Sequence, residues 1–294
     1  MPDPSKEINL RHDTEVTRYS PERVTGFFAT LKSILSAFPI ANSLGYRLAT
    51  RNIRSKYRQS ALGVFWALIP PLGHALIWIL LNESKIVSVA GSATDNYPLY
   101  AITGTTLWSV FSISILTPIQ TVQANSSILT KVNFPREALI YNAIYEIIFS
   151  TGIALIIVLL EFIYFQIPLN LSTFLFIPGL ITLALLGMTL SLLILQVAIL
   201  YKDIQFALPS IIQFGMYLSP VIYFGSNYRG IAGILNYNPV SPVLNFTRAR
   251  LLSMEGFHDG ETVFLIFLFA LLITLFGIVI QRMTAEILIE RMGS

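Results

Sequence analysis

Few side chains in this chain could do chemistry, and their placement narrows what that chemistry is. The sequence has no cysteine, so a thiol nucleophile, a disulfide framework and a Cys-based metal site are all excluded. The three histidines, His12, His74 and His258, are divided by long apolar segments that put them in different compartments, which excludes a three-His metal site. Serine and threonine are plentiful, but a hydroxyl nucleophile needs a positioned base. No Ser–His–acid set can gather in one compartment, which argues against an enzyme. The phosphate-binding pattern G-x-x-x-x-G-K-[ST] is absent, and no glycine is followed by lysine anywhere. If ATP powers this protein, a different polypeptide binds it. An ion-coupled carrier would instead place ionisable groups at mid-membrane. The candidates are His74, Glu146 and Glu161, of which only His74 falls near the middle of an apolar segment, too few for an ion relay.

The elements that position these residues are apolar and long. Hydrophobic residues make up 54% of the chain and charged residues 12%, about half the usual charged share of a soluble domain. A helix needs about 20 apolar residues to cross the hydrocarbon core. Six segments qualify: Ala61–Leu81, Pro98–Pro118, Ala138–Phe165, Phe174–Leu200, Phe206–Phe224 and Val263–Ile280, none of them containing Lys or Arg. Helices are expected because backbone groups in lipid must be satisfied within the segment. With both ends cytoplasmic, fifteen of the 19 Lys and Arg residues fall inside, and Lys85, Arg229, Arg248 and Arg250 fall outside. That asymmetry favours N-in, C-in and six spans. No apolar core with a small-residue cleavage site precedes them, so no cleaved signal peptide is expected.

Two amphipathic segments precede the first span. Val24, Phe27, Phe28, Leu31, Ile34, Leu35 and Phe38 recur at helical spacing, as in a helix lying in the membrane interface. Pro39 is expected to end or bend it. In Leu44–Gln59, Arg47, Arg51, Arg54 and Arg58 share one helical face, with Tyr46, Ala49, Ile53 and Tyr57 opposite. That face fits anionic lipid headgroups or a cytoplasmic partner. Lys131, Val132, Asn133, Phe134, Pro135, Arg136 and Glu137 form a polar loop whose proline is placed to start a helix. Such a loop serves packing or docking equally well. Between Gly225 and Thr262 the apolar pieces are too short to span and suit re-entrant or interfacial helices. Trp66, Trp78, Trp108, Tyr217, Tyr223 and Phe224 sit in or near the ends of spans. They fit an interfacial belt or an aromatic-lined path over which sugar rings could slide. Hydroxyls of the second span, from Thr103 to Ser114, either join helices or line a wet pore.

Four segments in order resemble ABC-2 type permeases of the polysaccharide exporter family. Arg51–Pro71 (RNIRSKYRQSALGVFWALIPP) resembles that family's basic helix and first span, with Tyr57, Ser60, Leu62, Gly63, Trp66 and Pro70 in the motif positions. KVNFPRE, Lys131–Glu137, resembles its loop between spans two and three. Tyr201–Tyr223 resembles its fifth-span entry, with Lys202-Asp203 where the family has Arg-Asp. Asn238-Pro239 matches its outer segment. The resemblance implies an all-α permease of six spans, comprising an N-terminal region 1–60, a transmembrane domain 61–281 and a short tail 282–294. It further implies a homodimer paired with two copies of an ATPase subunit that binds ATP and Mg, while this chain binds no cofactor. Arg47, Arg51, Arg54, Tyr57 and Arg58 would then lie at the ATPase interface, and Lys131–Glu137 would couple ATP hydrolysis to movement. The first and fifth spans would line the channel, and Gly225–Leu252 would form the exit gate.

The expectation is therefore an inner-membrane permease, in contact with membrane lipids and not with nucleic acid, that exports a lipid-linked polysaccharide such as O-antigen, capsule or teichoic acid. An ABC-2 exporter of drugs or small lipids would need no wide aromatic path. An ion-coupled carrier would require His74 or Glu146. A membrane glycosyltransferase would need a catalytic acidic loop, and Glu255, Asp259 and Glu261 read as an ordinary solvated one.

Overall fold

The computed structural model describes residues 27–58, 60–84, 97–125, 135, 137–168, 170–222, 237–254 and 260–293. Most of these residues are helical, and there is no strand among them. The helices are α1 (Phe27–Tyr57), α2 (Ile69–Glu83), α3 (Tyr97–Ala124), α4 (Glu137–Phe165), α5 (Phe176–Leu200), α6 (Lys202–Tyr217), α7 (Val240–Leu251) and α8 (Gly260–Gly293). Short 3₁₀ turns at Gly63–Ala67 and Leu171–Leu175 lead into α2 and α5.

Among the described residues, four helices are long and apolar enough to cross a membrane: α3, α4, α5 with its leading turn, and α8. α3 forms the centre, buried along most of its length between α4 and α5, and α8 packs on the far side of α5. Small and hydroxyl residues let these helices close on one another. A Cβ on Gly187 of α5 would lie 2.6 Å from the Phe111 carbonyl oxygen and 2.6 Å from Ser114 Cβ of α3. Thr189 and Thr274 join α5 to α8 through hydroxyls 2.7 Å apart. Outward, α4 and α8 expose Ile163, Leu265, Phe269 and Leu272, as an apolar solvent requires.

The first and fifth expected spans are shorter than their apolar runs. Gly63 has φ +54°, a left-handed conformation that glycine adopts without the Cβ clash. It turns the chain into the 3₁₀ segment, and the helix restarts at Ile69 with Pro70 and Pro71 in its first turn, where their missing N–H groups cost nothing. α2 therefore has 15 residues, about 22 Å at about 1.5 Å per residue. α6 has 16 residues, preceded by extended Tyr201 and followed by the turn through Ser219, Pro220 and Val221. Neither packs deeply: α2 buries no residue, and α6 buries only Leu208 and Ile212.

Pro39 neither ends nor separates the two amphipathic segments, which are one continuous 31-residue helix. The cause is docking on α4 along both halves. Ala37, Ala41, Gly45 and Ala49 form a buried small-residue stripe at four-residue spacing. A Cβ on Gly45 would lie 2.5 Å from Tyr141 Cβ and 2.8 Å from the Ala138 carbonyl. Phe38 meets Tyr141 edge-on at 5.5 Å and Tyr46 meets Tyr145 at 5.3 Å. These contacts flank the proline and oppose the break it would cause in an isolated helix.

Candidate functional site

At one end of the bundle, the residues that flank 126–136 are each tied to another helix. Asn125, buried at the end of α3, accepts a 2.9 Å hydrogen bond from Arg51 of α1. Glu137, buried at the start of α4, pairs with Arg282 of α8. Beside them, Asn52 Nδ2 donates to Glu146 Oε1 at 2.9 Å, and Thr284 donates to Gln196 at 2.9 Å. α1, α3, α4, α5 and α8 are thus tied by polar contacts at this one end. Of the sequence-selected loop residues, Pro135 and Glu137 are described; Lys131, Val132, Asn133, Phe134 and Arg136 lie outside the described residues.

The arginine face of α1 is free of tertiary burial. Arg47, Arg51, Arg54 and Arg58 are exposed, while Ala49 opposite them is buried and Tyr57 rests on Phe149, ring centroids 6.4 Å apart. Burial raises the Tyr57 phenol above its ordinary pKa, so it stays neutral and able to donate. This is a compact cationic surface beside Asn125, suited to an acidic protein face or anionic headgroups.

Next to it a cavity of about 500 Å³ opens between the end of α1, the Gly63–Ala67 turn, α2, α3 and α4, within the range of about 300–1,000 Å³ typical of small-molecule sites. Its lining is mixed: Lys56, Trp66, His74, Thr105, Ser109 and Ser150 among apolar residues. His74 is exposed at this cavity rather than held by a neighbouring helix.

At the opposite end of α3 lies a second built arrangement, centred on a residue that sequence reading treated only as an outside charge. Arg248 of α7 is 1% exposed. It donates to the Pro220 carbonyl at 3.0 Å and the Val221 carbonyl at 2.6 Å, the turn that closes α6. Its guanidinium carbon lies 3.7 Å from the centroid of the Tyr100 ring of α3. Among the described residues no carboxylate pairs with it; carbonyl dipoles and an aromatic face hold the charge instead. Gly104 makes room, since a Cβ there would collide with both the Val221 carbonyl and the guanidinium. Tyr97 donates to the Ile222 carbonyl at 2.9 Å, and Asn238 donates to Ser219 at 2.8 Å while capping Val240 N. The signal available was spacing: Leu244, Thr247 and Leu251 place Arg248 on the buried face of α7.

The aromatic candidates divide. Trp66 is half exposed at the cavity, Trp78 meets Tyr97 edge-on at 5.9 Å, and Tyr217 is half exposed on α6. Trp108 is buried in the core, 5.0 Å from Phe111. Tyr223 and Phe224 lie outside the described residues. The second-span hydroxyls act first within the protein. Thr103 donates to buried Glu161 at 2.7 Å, joining α3 to α4, and Thr105, Ser109, Ser112 and Ser114 donate to carbonyls of their own helix.

No family model matches the chain. Several curated proteins do resemble it along most of its length. It is 24% identical over 237 residues to an O-antigen export system permease protein, RfbA, of Klebsiella pneumoniae, covering 79% of this chain and 88% of that protein. It is 25% identical over 179 residues to an O-antigen export system permease of Myxococcus xanthus, covering 60% and 66%. It is 22% identical over 257 residues to the polysialic acid transport protein KpsM of Escherichia coli, covering 85% and 97%. The resemblance read from the four motifs, to ABC-2 type polysaccharide export permeases, is the one these relatives carry. These relatives are membrane permeases and transport proteins, and the long apolar helices of this chain are consistent with a multi-pass membrane protein.

Proposed function

We propose that this chain is the membrane-spanning subunit of an ATP-driven exporter, moving a lipid-linked polysaccharide, O-antigen in the first instance, outward across the cytoplasmic membrane. The observation that carries the reading is similarity to O-antigen export permeases over 79% of a chain that has no phosphate-binding loop of its own. The energy then comes from a separate ATPase subunit, two copies of which pair with a homodimer of this permease. α2 and α6 act as the first and fifth of six spans. Their shallow packing on α3 and α5 leaves exposed apolar faces for a second copy and for a path between the two copies. Trp66, Trp78 and Tyr217 border that path, and Trp108 backs it from the core.

In mechanism, closure of the ATPase dimer presses on the arginine face of α1 and on Lys131–Glu137. The loop is held at Asn125 by Arg51 and at Glu137 by Arg282, so its displacement moves α3, α4 and α8 as rigid bodies. At the far end, the α7 segment and the Ser219–Val221 turn form the exit gate. Purification in mild detergent should bring down an ATPase, and replacing Phe134 and Arg136 together should leave ATP hydrolysis running while surface glycan disappears. Normal export in the double variant would refute the coupling assignment. Uphill transport by the chain alone on an ion gradient would refute the exporter reading.

A further inference from the structure

We propose that the cavity between α1, α2, α3 and α4 binds a glycosyl phosphate: the sugar-phosphate headgroup at the carrier end of the exported chain. The proposal rests on the export reading and adds a site to it. Its chemistry comes from the lining. Lys56, exposed at the rim, brings three ammonium donors and a positive charge, which suit a phosphate oxygen. Thr105 and Ser109 spend their hydroxyl protons on carbonyls of their own helix, at 2.9 and 2.6 Å. What they offer the cavity is lone pairs, which accept from donors such as sugar hydroxyls and repel bare phosphate oxygens. Ser150 of α4 and His74 of α2 stand on other walls, so polar groups converge from three helices. Trp66 supplies a flat indole at the same cavity, a surface for the C–H face of a sugar ring.

A cavity filled only by acyl chains would need none of these groups, and inorganic phosphate would use the lysine end alone. The volume of about 500 Å³ holds a sugar and its phosphate together. Two of the helices that line the cavity also carry exposed apolar residues, Leu72 and Leu76 on α2 and Ile156 on α4, which give a prenyl tail an apolar surface beside the headgroup.

The test uses the full-length chain in lipid nanodiscs with Trp78→Phe and Trp108→Phe, leaving Trp66 as the sole tryptophan of the three. The probes are glucosyl phosphoryl farnesol, farnesyl phosphate, glucose 1-phosphate and glucose. Saturable quenching of Trp66 by the first, with farnesyl phosphate at least ten-fold weaker, supports the site. Lys56→Gln should weaken binding about ten-fold, the loss of one charge-assisted hydrogen bond, and Lys56→Arg should restore it. Ser150→Leu fills the cavity without changing any charge, and it should abolish binding even if Lys56→Gln proves unstable. Equal affinity for glucose 1-phosphate keeps the chemistry and assigns it to a soluble sugar phosphate. Farnesyl phosphate binding as tightly as the sugar-bearing probe, or no saturable signal with any probe, overturns the proposal. Deleting the gene and measuring surface glycan tests export separately. Intact glycan with probe binding sinks the export reading alone, and lost glycan without probe binding sinks the pocket alone.

Discussion

Arg248 lies face-on to Tyr100, its guanidinium carbon 3.7 Å from the ring centroid, while its two terminal nitrogens close the last carbonyls after α6. One side chain therefore joins α7, α6 and α3. Replacing Arg248 with glutamine leaves at least one carbonyl buried and unpaired, at about 1–3 kcal/mol each. Lysine, a point donor without a planar fork, is not a conservative replacement here. Both variants should lower the melting temperature in detergent, with Arg248→Lys no better than halfway to the parent. A parent-like transition for Arg248→Gln would show that the three elements hold together without it.

Glu137 and Arg282 pair at the base of the bundle, the carboxylate buried and the arginine partly exposed. Each single change, Glu137→Gln or Arg282→Gln, should reduce export by loosening the exit of the 126–136 segment. The charge-reversed pair Glu137→Arg with Arg282→Glu should recover part of it. A double-mutant cycle on thermal stability should give a coupling of about 0.5–3 kcal/mol. Additive losses would mean that the two residues act independently.

Gly45 lets α1 lie directly on α4, with Tyr141 Cβ and the Ala138 carbonyl where its own Cβ would be. Backbone cannot step aside as a side chain can, so Gly45→Ala must lift α1. The expected cost is about 1–3 kcal/mol from overpacking, together with faster protease cleavage near α1. Unchanged proteolysis would mean that α1 is not seated on α4 in the membrane.

Glu161 is buried and accepts from Thr103 at 2.7 Å and from Thr106 at 3.4 Å. Glutamine keeps an oxygen in the same place, so Glu161→Gln should export normally. Glu161→Leu should destabilise by about 1–3 kcal/mol because the Thr103 hydroxyl loses its acceptor. Glu146→Gln likewise keeps the acceptor for Asn52 and should be silent in export. Loss of transport in either glutamine variant, with folding intact, would revive a proton-coupled mechanism.

Several features were readable in one dimension because local physics writes them there. Long apolar runs marked α3, α4, α5 and α8, since each residue of a helix in lipid meets the same solvent wherever the helix packs. The arginine face of α1 followed from a 100° turn per residue. The motifs from Arg51 to Pro239 pointed to the same kind of permease that the relatives are. Other features depended on where distant segments meet. Arg51 finds Asn125 across 74 residues, Asn52 finds Glu146 across 94, and Glu137 finds Arg282 across 145. Nothing in the neighbours of those residues specifies the partner. Pro39 carries a local tendency to break a helix, and docking on α4 overrides it. Arg248 carries a local tendency to reach water, and the turn after α6 and the Tyr100 ring of α3 supply the carbonyls and the aromatic face that replace it. Composition and period fix what each segment prefers in isolation. Only the packed structure decides which preferences are met, because a burial or a hydrogen bond is a property of two surfaces, and the sequence shows one at a time.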